Sequence, residues 1–351
     1  MSYGNLMMTA RYFLTTLFLT TLFLAKGQTN YFSIKTIKNG KEFSFPIFLQ
    51  SFDINSTDRI NQLLQISELE ILKGFERKNI FENVSKDNGT IYGGKVEISF
   101  EIKSNTPRLL SLQLNESSCG ATCAYWVKYY NFNSGNGEML QLRDLFTEIG
   151  YKIFYKIISK KRISEFKKQL TKLDTSEKDG FLDITGCYED NNLEDFYIKG
   201  NTLYIDGENC FSKNQKSSDI ETISKFNLSE FKKYLNDYGK TIFSLNQKTV
   251  EKFHSSTLPQ LFQGKISEQD VLMVLNNGYK QEMRAEYVYL KYGKGIFLEG
   301  ELNKNELTLK EKNSDFGDNG FIEAKYDGQQ IIGAWTNKNK TKKYKINLTR
   351  K

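Results

Sequence analysis

Apolar and polar residues alternate strictly along VEISFEIK (residues 96–103), so Val96, Ile98, Phe100 and Ile102 fall on one side of an extended chain. The same period recurs in YFSIKTIKNGKEFSFPIFL (31–49), where Asn39-Gly40 supplies a turn between two strands. Between these stretches the spacing changes. In DINSTDRINQLLQISELEILKGF (53–75), Ile60, Leu63, Leu64, Ile66 and Leu69 repeat at helical intervals, with Asn55, Ser56 or Thr57 as the expected cap. A strand over 109–114 leads to two cysteines. AYWVKYYNFN (124–133) is a further strand, SGNG a turn, and EMLQLRDLF a short strand turning into a helix. Residues 148–173 read as a basic amphipathic helix through Ile153, Ile157, Ile158, Ile163, Phe166 and Leu170. NNLEDFYIKGNTLYIDGEN reads as two strands about Lys199-Gly200-Asn201. NLSEFKKYLNDYG reads as one helix, capped by Asn227 or Ser229 and closed by Gly239.

The character shifts over 241–262. SEQDVLMVLNNGY is expected to be a short helix. From Met283 to Leu348 five or six short strands follow one another, with turns at Tyr292-Gly293-Lys294-Gly295, Asn303-Lys304-Asn305, Asp318-Asn319-Gly320 and Asp327-Gly328. That spacing suggests a small antiparallel barrel or sandwich. The fold class is therefore α+β: a mixed sheet-and-helix module, then an antiparallel β domain. The expected divisions are 1–27, 28–115, 116–245 and 250–351. With 39% hydrophobic and 14% aromatic residues the chain can bury a real core, and only Pro46, Pro107 and Pro259 interrupt it.

The first segment is explained by targeting. Arg11 precedes the uncharged run YFLTTLFLTTLFLA (12–25), and Ala25-Lys26-Gly27 places small residues where a signal peptidase cuts. A mature chain starting at Gln28 is expected, periplasmic or extracellular, with no membrane span after cleavage. Its loss removes Arg11 and Lys26 and no acid, taking the net charge from +7 to +5. Basic runs at 152–172 and at Lys338, Lys340, Lys342, Lys343, Lys345, Arg350 and Lys351 read first as solvated faces. As a partner for them an anionic envelope polymer is preferred to nucleic acid.

Four cysteines, Cys119, Cys123, Cys187 and Cys210, stand beyond the signal, and an even count in an exported chain points to disulfides. Three connectivities are open; pairing Cys119 with Cys123 and Cys187 with Cys210 is favoured, because the second pair brackets a hairpin. Three residues separate the first pair where a redox dithiol wants two, and His254 is the one histidine available to a zinc site. No metal and no cofactor is expected. Histidine-based serine or cysteine catalysis is excluded in practice, and no catalytic residue is assigned.

CGAT (119–122), YYNFNSGNGEMLQLRDLF (129–146), NLEDFYIKGNTLYI and FNLSEFKKYL together resemble the two-part extracellular module of the RsiV/PdaC type, found in a lysozyme-sensing anti-sigma factor and a peptidoglycan deacetylase. Thr122 stands where that family commonly has histidine. IIGAWTNKNKTKKYKINLTRK (331–351) resembles a tail of Bacteroidetes-type envelope proteins. The resemblance implies recognition of a cell-wall polymer or of a protein such as lysozyme. Tyr125, Trp126, Tyr129 and Tyr130 are the candidate recognition surface, against the plainer reading that alternate members pack inward. The competing expectation is a carboxylate-only enzyme on envelope glycans using Glu189, Asp190, Glu194 and Asp195, which needs two carboxylates facing across a cleft. A third is a ligand inside the barrel, unless Trp335, Phe297 and Tyr289 fill it. The oligomeric state is not legible.

Overall fold

The computed structural model describes residues 30–49, 54–86, 93–174, 181, 183–190, 195–212, 215–217, 219–278, 282–312 and 320–351. The expected signal peptide, Glu194, and most of the turn at Asp318-Asn319-Gly320 lie outside the described residues. Among the described residues no helix is long and apolar enough to cross a membrane. Phe32–Lys351 forms one compact unit.

Its first layer is a five-stranded sheet in the order β1 (Ser33–Asn39), β2 (Phe43–Leu49), β3 (Lys95–Asn105), β4 (Leu109–Cys119) and β5 (Cys123–Asn133). Neighbours are antiparallel except β2 and β3, which meet in parallel at Phe43 and Ile98 because helix α1 (Ile54–Leu69) carries the chain across. Gly40 takes φ +67° in the β1–β2 turn, as the Asn-Gly reading requires. The alternation read through β3 is broken by bulges at Lys95/Glu97 and Ile102/Ser104. Ile98 is therefore fully buried, whereas Val96 is exposed. The sheet also runs across the division expected near residue 115, since β4 and β5 pair along their whole length from Leu109–Asn133 to Cys119–Cys123.

Helix α1 already includes Asn55, Ser56 and Thr57, so these residues occupy its first turn and do not precede it. It buries Ile60, Leu63, Leu64, Ile66 and Leu69. Each such side chain contributes about 1.5–3 kcal/mol when removed from water. The long helix α2 (Glu148–Leu170) matches the predicted amphipathic segment, capped by Thr147, whose hydroxyl accepts from the Gly150 amide. It turns Phe154, Ile158 and Phe166 inward and leaves Ile153 exposed. Beyond it lie the short helix α3 (Ile184–Asp190) and a three-stranded sheet of β6 (Phe196–Lys199), β7 (Thr202–Asp206) and β8 (Ile223–Asn227). Phe154 meets Phe226 edge-on at 5.3 Å, joining α2 to that sheet.

The single helix expected over NLSEFKKYLNDYG is two: α4 (Leu228–Phe231), which continues as a 3₁₀ turn, and α5 (Asp237–Ile242). Asn227 caps the first, as expected. Gly239 does not close the segment; its amide is bound by the Asn236 cap of the second. A Cβ at Gly239 would stand 2.1 Å from the Leu145 carbonyl oxygen, so close packing explains the glycine.

Eight strands close a barrel: β9 (Gln260–Ile266), β10 (Gln269–Asn277), β11 (Glu282–Tyr289), β12 (Gly295–Asn303), β13 (Glu306–Lys312), β14 (Phe321–Tyr326), β15 (Gln330–Thr336) and β16 (Lys343–Arg350), which pairs back onto β9. Tyr279 lies outside the described residues; in place of the helix expected over 267–279, Gln269–Asn277 is a strand. Its apolar run is buried on both faces: Val271, Met273 and Leu275 enter the barrel core, while Leu272 and Val274 lie outside, where α1 packs against β9, β10 and β11. Gly264, Gly300 and Gly333 each face the carbonyl of an adjoining strand so closely that a Cβ would stand 1.8–2.1 Å from it, which permits the tight coiling of a small barrel. The lumen is packed with Phe262, Met273, Tyr287, Leu298, Leu309 and Ile346. Trp335 and Tyr289 border this core as anticipated, but Phe297 points outward and is exposed. Glu311 is buried among them, accepting from Tyr287 Oη, Trp335 Nε1 and the Gly320 amide, each at 2.6 Å.

Candidate functional site

The aromatic run of β5 begins at a hairpin closed by the Cys119–Cys123 disulfide, whose cysteines face each other in register. The second disulfide joins Cys187 on α3 to Cys210 in a 3₁₀ turn after β7, so it spans the β6–β7 hairpin from outside. No cysteine is free. Among the described residues no cluster of three His, Cys, Asp or Glu is placed to hold a metal.

Strand alternation divides the four aromatic candidates. Tyr125 is 63% exposed, Trp126 half-buried, and Tyr129 and Tyr130 buried. Trp126, Lys128 and Tyr130 share one face of β5, and there the register brings Trp126 opposite Glu116 of β4. Glu68 of α1 and Lys95 of β3 complete a buried ionic cluster. Lys95 Nζ reaches Glu116 Oε1 at 2.7 Å and Glu68 Oε2 at 3.2 Å. Lys128 Nζ reaches Glu68 Oε2 at 2.7 Å, Trp126 Nε1 donates to Glu116 Oε2 at 2.6 Å, and the Tyr130 hydroxyl donates to Glu68.

Burial alone would push the Glu68 carboxyl up, but the ammonium groups of Lys128 and Lys95 outweigh it and hold the group well below the usual carboxylate range. Glu116 goes the other way, raised by burial and by the neighbouring Glu68 charge. From the barrel, Glu286 of β11 faces the same cluster. Burial, then the carboxylates of Glu70 and Glu68, push its pKa well up, and its buried Oε1 has no hydrogen-bond partner among the described residues.

Tyr129 lies on the opposite face. Its hydroxyl donates to Asp206 Oδ2 at 2.7 Å, and its ring stacks on Tyr197 at 5.4 Å, itself stacked on Tyr204 at 4.4 Å. Burial, then the acceptor Asp206, raise the Tyr129 phenol far above its ordinary value, and burial first raises Tyr197 to about 12.

β5 is the edge strand of its sheet, and a cleft of about 300 Å³ runs beside it. Lys128, Tyr129 and Tyr130 line one side, with Ser67 of α1. Met139, Gln141, Leu258 and Pro259, with Asn276, Asn277 and Gly278 at the end of β10 and with Asp195 and Asn209, complete the lining. Three parts of the fold therefore meet at one polar opening. Of the four carboxylates considered for catalysis, Asp195 reaches it. Glu189 is exposed on α3, and the side chains of Asp190 and Glu194 lie outside the described residues.

A seam fixes the cleft wall. Glu138, only 7% exposed, accepts from Arg350 Nη2 at 2.8 Å and the Ser255 amide at 3.0 Å, pairs with Arg59 Nη1 at 3.3 Å, and touches His254 Nδ1 at 2.9 Å. Next to it Asp144 Oδ2 accepts from Ser255 Oγ at 2.7 Å and from the Gln141 amide at 2.8 Å. His254 itself is exposed, as a surface histidine should be. Neither Glu138 nor Asp144 was legible as a site residue, because nothing in sequence relates them to Arg59 or Arg350. The one available signal was their place within the glycine turn and LRDLF segment that carries the family resemblance.

No family model matches the chain, and no curated protein matches it. Among solved structures it is similar to a crystal structure of a DUF3298 family member from Bacteroides fragilis, with 13% identity, a TM-score of 0.41, and coverage of 63% of this chain and 100% of that one.

Proposed function

We propose that this chain is an exported, non-catalytic binding protein of the cell envelope, an RsiV/PdaC-type module joined to a β barrel, which holds a polar segment of cell-wall polymer in the cleft beside β5. The observation that carries this reading is the make-up of the cleft. Gln141, Asn209, Asn276 and Asn277 line, with Lys128, Tyr129 and Tyr130, a space of about 300 Å³. A polar cleft lined by several amide side chains suits a sugar or peptide unit, whose hydroxyl and amide groups can exchange hydrogen bonds with them. The buried carboxylates nearby, Glu68, Glu116 and Asp206, already accept from Lys128, Trp126 and Tyr129, which supports binding over acid–base turnover. Two disulfides support a periplasmic or extracellular setting.

The test is retention of the mature chain on insoluble peptidoglycan and on immobilised lysozyme, each with and without Asn276→Ala/Asn277→Ala. Peptidoglycan retention lost in the variant is expected. Retention on neither support, or hydrolysis of wall fragments by the purified chain, would overturn the reading.

A further inference from the structure

The barrel uses its walls unequally. Outward residues of β10 and β11, Leu272, Val274 and Val288, are buried, and α1 packs against β9, β10 and β11. On β12 and β13 the outward charges are mixed: Glu299 and Glu301 alternate with Lys310 and Lys312, and Lys312 Nζ lies 3.0 Å from Glu299. The remaining wall, β14–β15–β16–β9, differs in kind.

Its inward positions, Ile322, Ala324, Ile331, Ile346, Leu348 and Ile266, belong to the barrel core, so their neighbours face outward. Register then places Lys325 beside Ile332, Ile332 beside Asn347, and Asn347 beside Lys265 in one cross-strand row. The adjacent row holds Glu323, Ala334 and Lys345, and the next Thr336 and Lys343. Lys338, Lys340 and Lys342 occupy the β15–β16 loop at the end of the same wall, all exposed. Among the described residues none of these lysines except Lys265 has a carboxylate within 4.0 Å, and the Lys265–Asp270 contact is an exposed one at 3.8 Å. Glu323 is the single acid on the wall's strand faces.

A depression of about 370 Å³ lies between Lys265 and Lys345, floored by Gly264 and bordered by Gln263, Asn347 and Thr349. We infer that this wall is a second binding surface, taking a linear polymer whose repeating anions are phosphodiesters. Strands lie about 4.8 Å apart and alternate residues about 7 Å apart along a strand, so the ammonium groups form an extended array and not one point of charge. The wall carries lysines and no arginine, because Arg350 is turned inward to Glu138. Lysine meets phosphate oxygens as a mobile point charge, so separate ammonium groups suit single anions repeated along a flexible chain and require no fixed bidentate geometry. A flat bilayer is a poorer match: Ile332 and Tyr344 are the large apolar side chains exposed on these strands, too little to enter an acyl layer.

The test measures binding of the mature chain to a poly(glycerol phosphate) oligomer, to hyaluronate, and to phosphatidylglycerol vesicles at low and high salt. Affinity for the phosphate oligomer should exceed that for the other two and fall with salt. Lys265→Glu/Lys345→Glu should weaken it at least tenfold with an unchanged melting temperature, Lys304→Glu/Lys310→Glu on the adjoining mixed-charge wall less than threefold. The cleft variant Asn276→Ala/Asn277→Ala should leave it unchanged, which separates this surface from the cleft. Equal loss from both charge-reversed pairs, tighter binding to hyaluronate or vesicles, or no binding to the oligomer at low salt would overturn the inference.

Discussion

Removing the carboxylate of Glu138 should separate the barrel energetically from the rest of the molecule. Glu138 and Arg350 are 7% and 8% exposed, so their contact at 2.8 Å is barely screened by solvent. Deleting one partner of a buried pair costs about 3–5 kcal/mol, because the other charge is left desolvated. Arg350 keeps one acceptor, the Ser255 carbonyl at 2.8 Å, which places Glu138→Ala near the lower end, about 3 kcal/mol. His254 is exposed and adds about 0–1 kcal/mol. Glu138→Gln keeps the volume and one acceptor oxygen and should cost about half as much as the alanine.

The two tryptophans make the assay direct, since Trp126 lies in the sheet and Trp335 in the barrel. Urea unfolding of the Trp126→Phe and Trp335→Phe backgrounds reads the two sides separately. Their transitions should coincide with Glu138 present and move apart in Glu138→Ala. In a double-mutant cycle Arg350→Met should cost at least ~1.5 kcal/mol less once Glu138 is gone. Coincident transitions in the variant, a loss below ~1 kcal/mol, or zero coupling would each refute this account of the seam.

Glu286→Gln should stabilise the protein at pH 8 and make no difference at pH 4 in thermal melts. Its folded pKa is raised above the ordinary 4.5, so the unfolded chain loses that proton first and stability falls as pH rises above about that value; the amide removes this cost. Replacing Cys187 and Cys210 by serine should cost about 3 kcal/mol by opening a loop with a sequence separation of 23, whereas opening the four-residue Cys119–Cys123 loop should cost about 2 kcal/mol, both measured by denaturant midpoints. Gly300→Ala should disrupt β12–β13 pairing, because its Cβ would stand 1.8 Å from the Thr308 carbonyl oxygen; amide exchange of the barrel strands checks this, and unchanged protection there would count against the close-approach explanation.

Local pattern alone determined the run of strands between Met283 and Leu348, the Asn39-Gly40 turn, helix α2 and the β6–β7 hairpin, because period and turn chemistry act between residues close in sequence. It misread 267–279, since an apolar run buried on two faces has no period to distinguish strand from helix until α1 and the barrel core are both in place. It also took NLSEFKKYLNDYG for one helix, because the contacts at the break, the Leu235–Phe146 bridge and the Asn236 bonds to the Asp144, Leu145 and Phe146 carbonyls, come from a segment distant in sequence. The aromatic run was visible as a candidate surface, but only the packing of α1 and β7 decided that Tyr130 and Tyr129 would donate to Glu68 and Asp206 while Tyr125 stays open. Glu138 with Arg350, and the lysine rows across β14, β15, β16 and β9, exist only once the barrel closes: charge composition is written in the chain, whereas the distance between two charges is set by the register of strands that meet late in the fold.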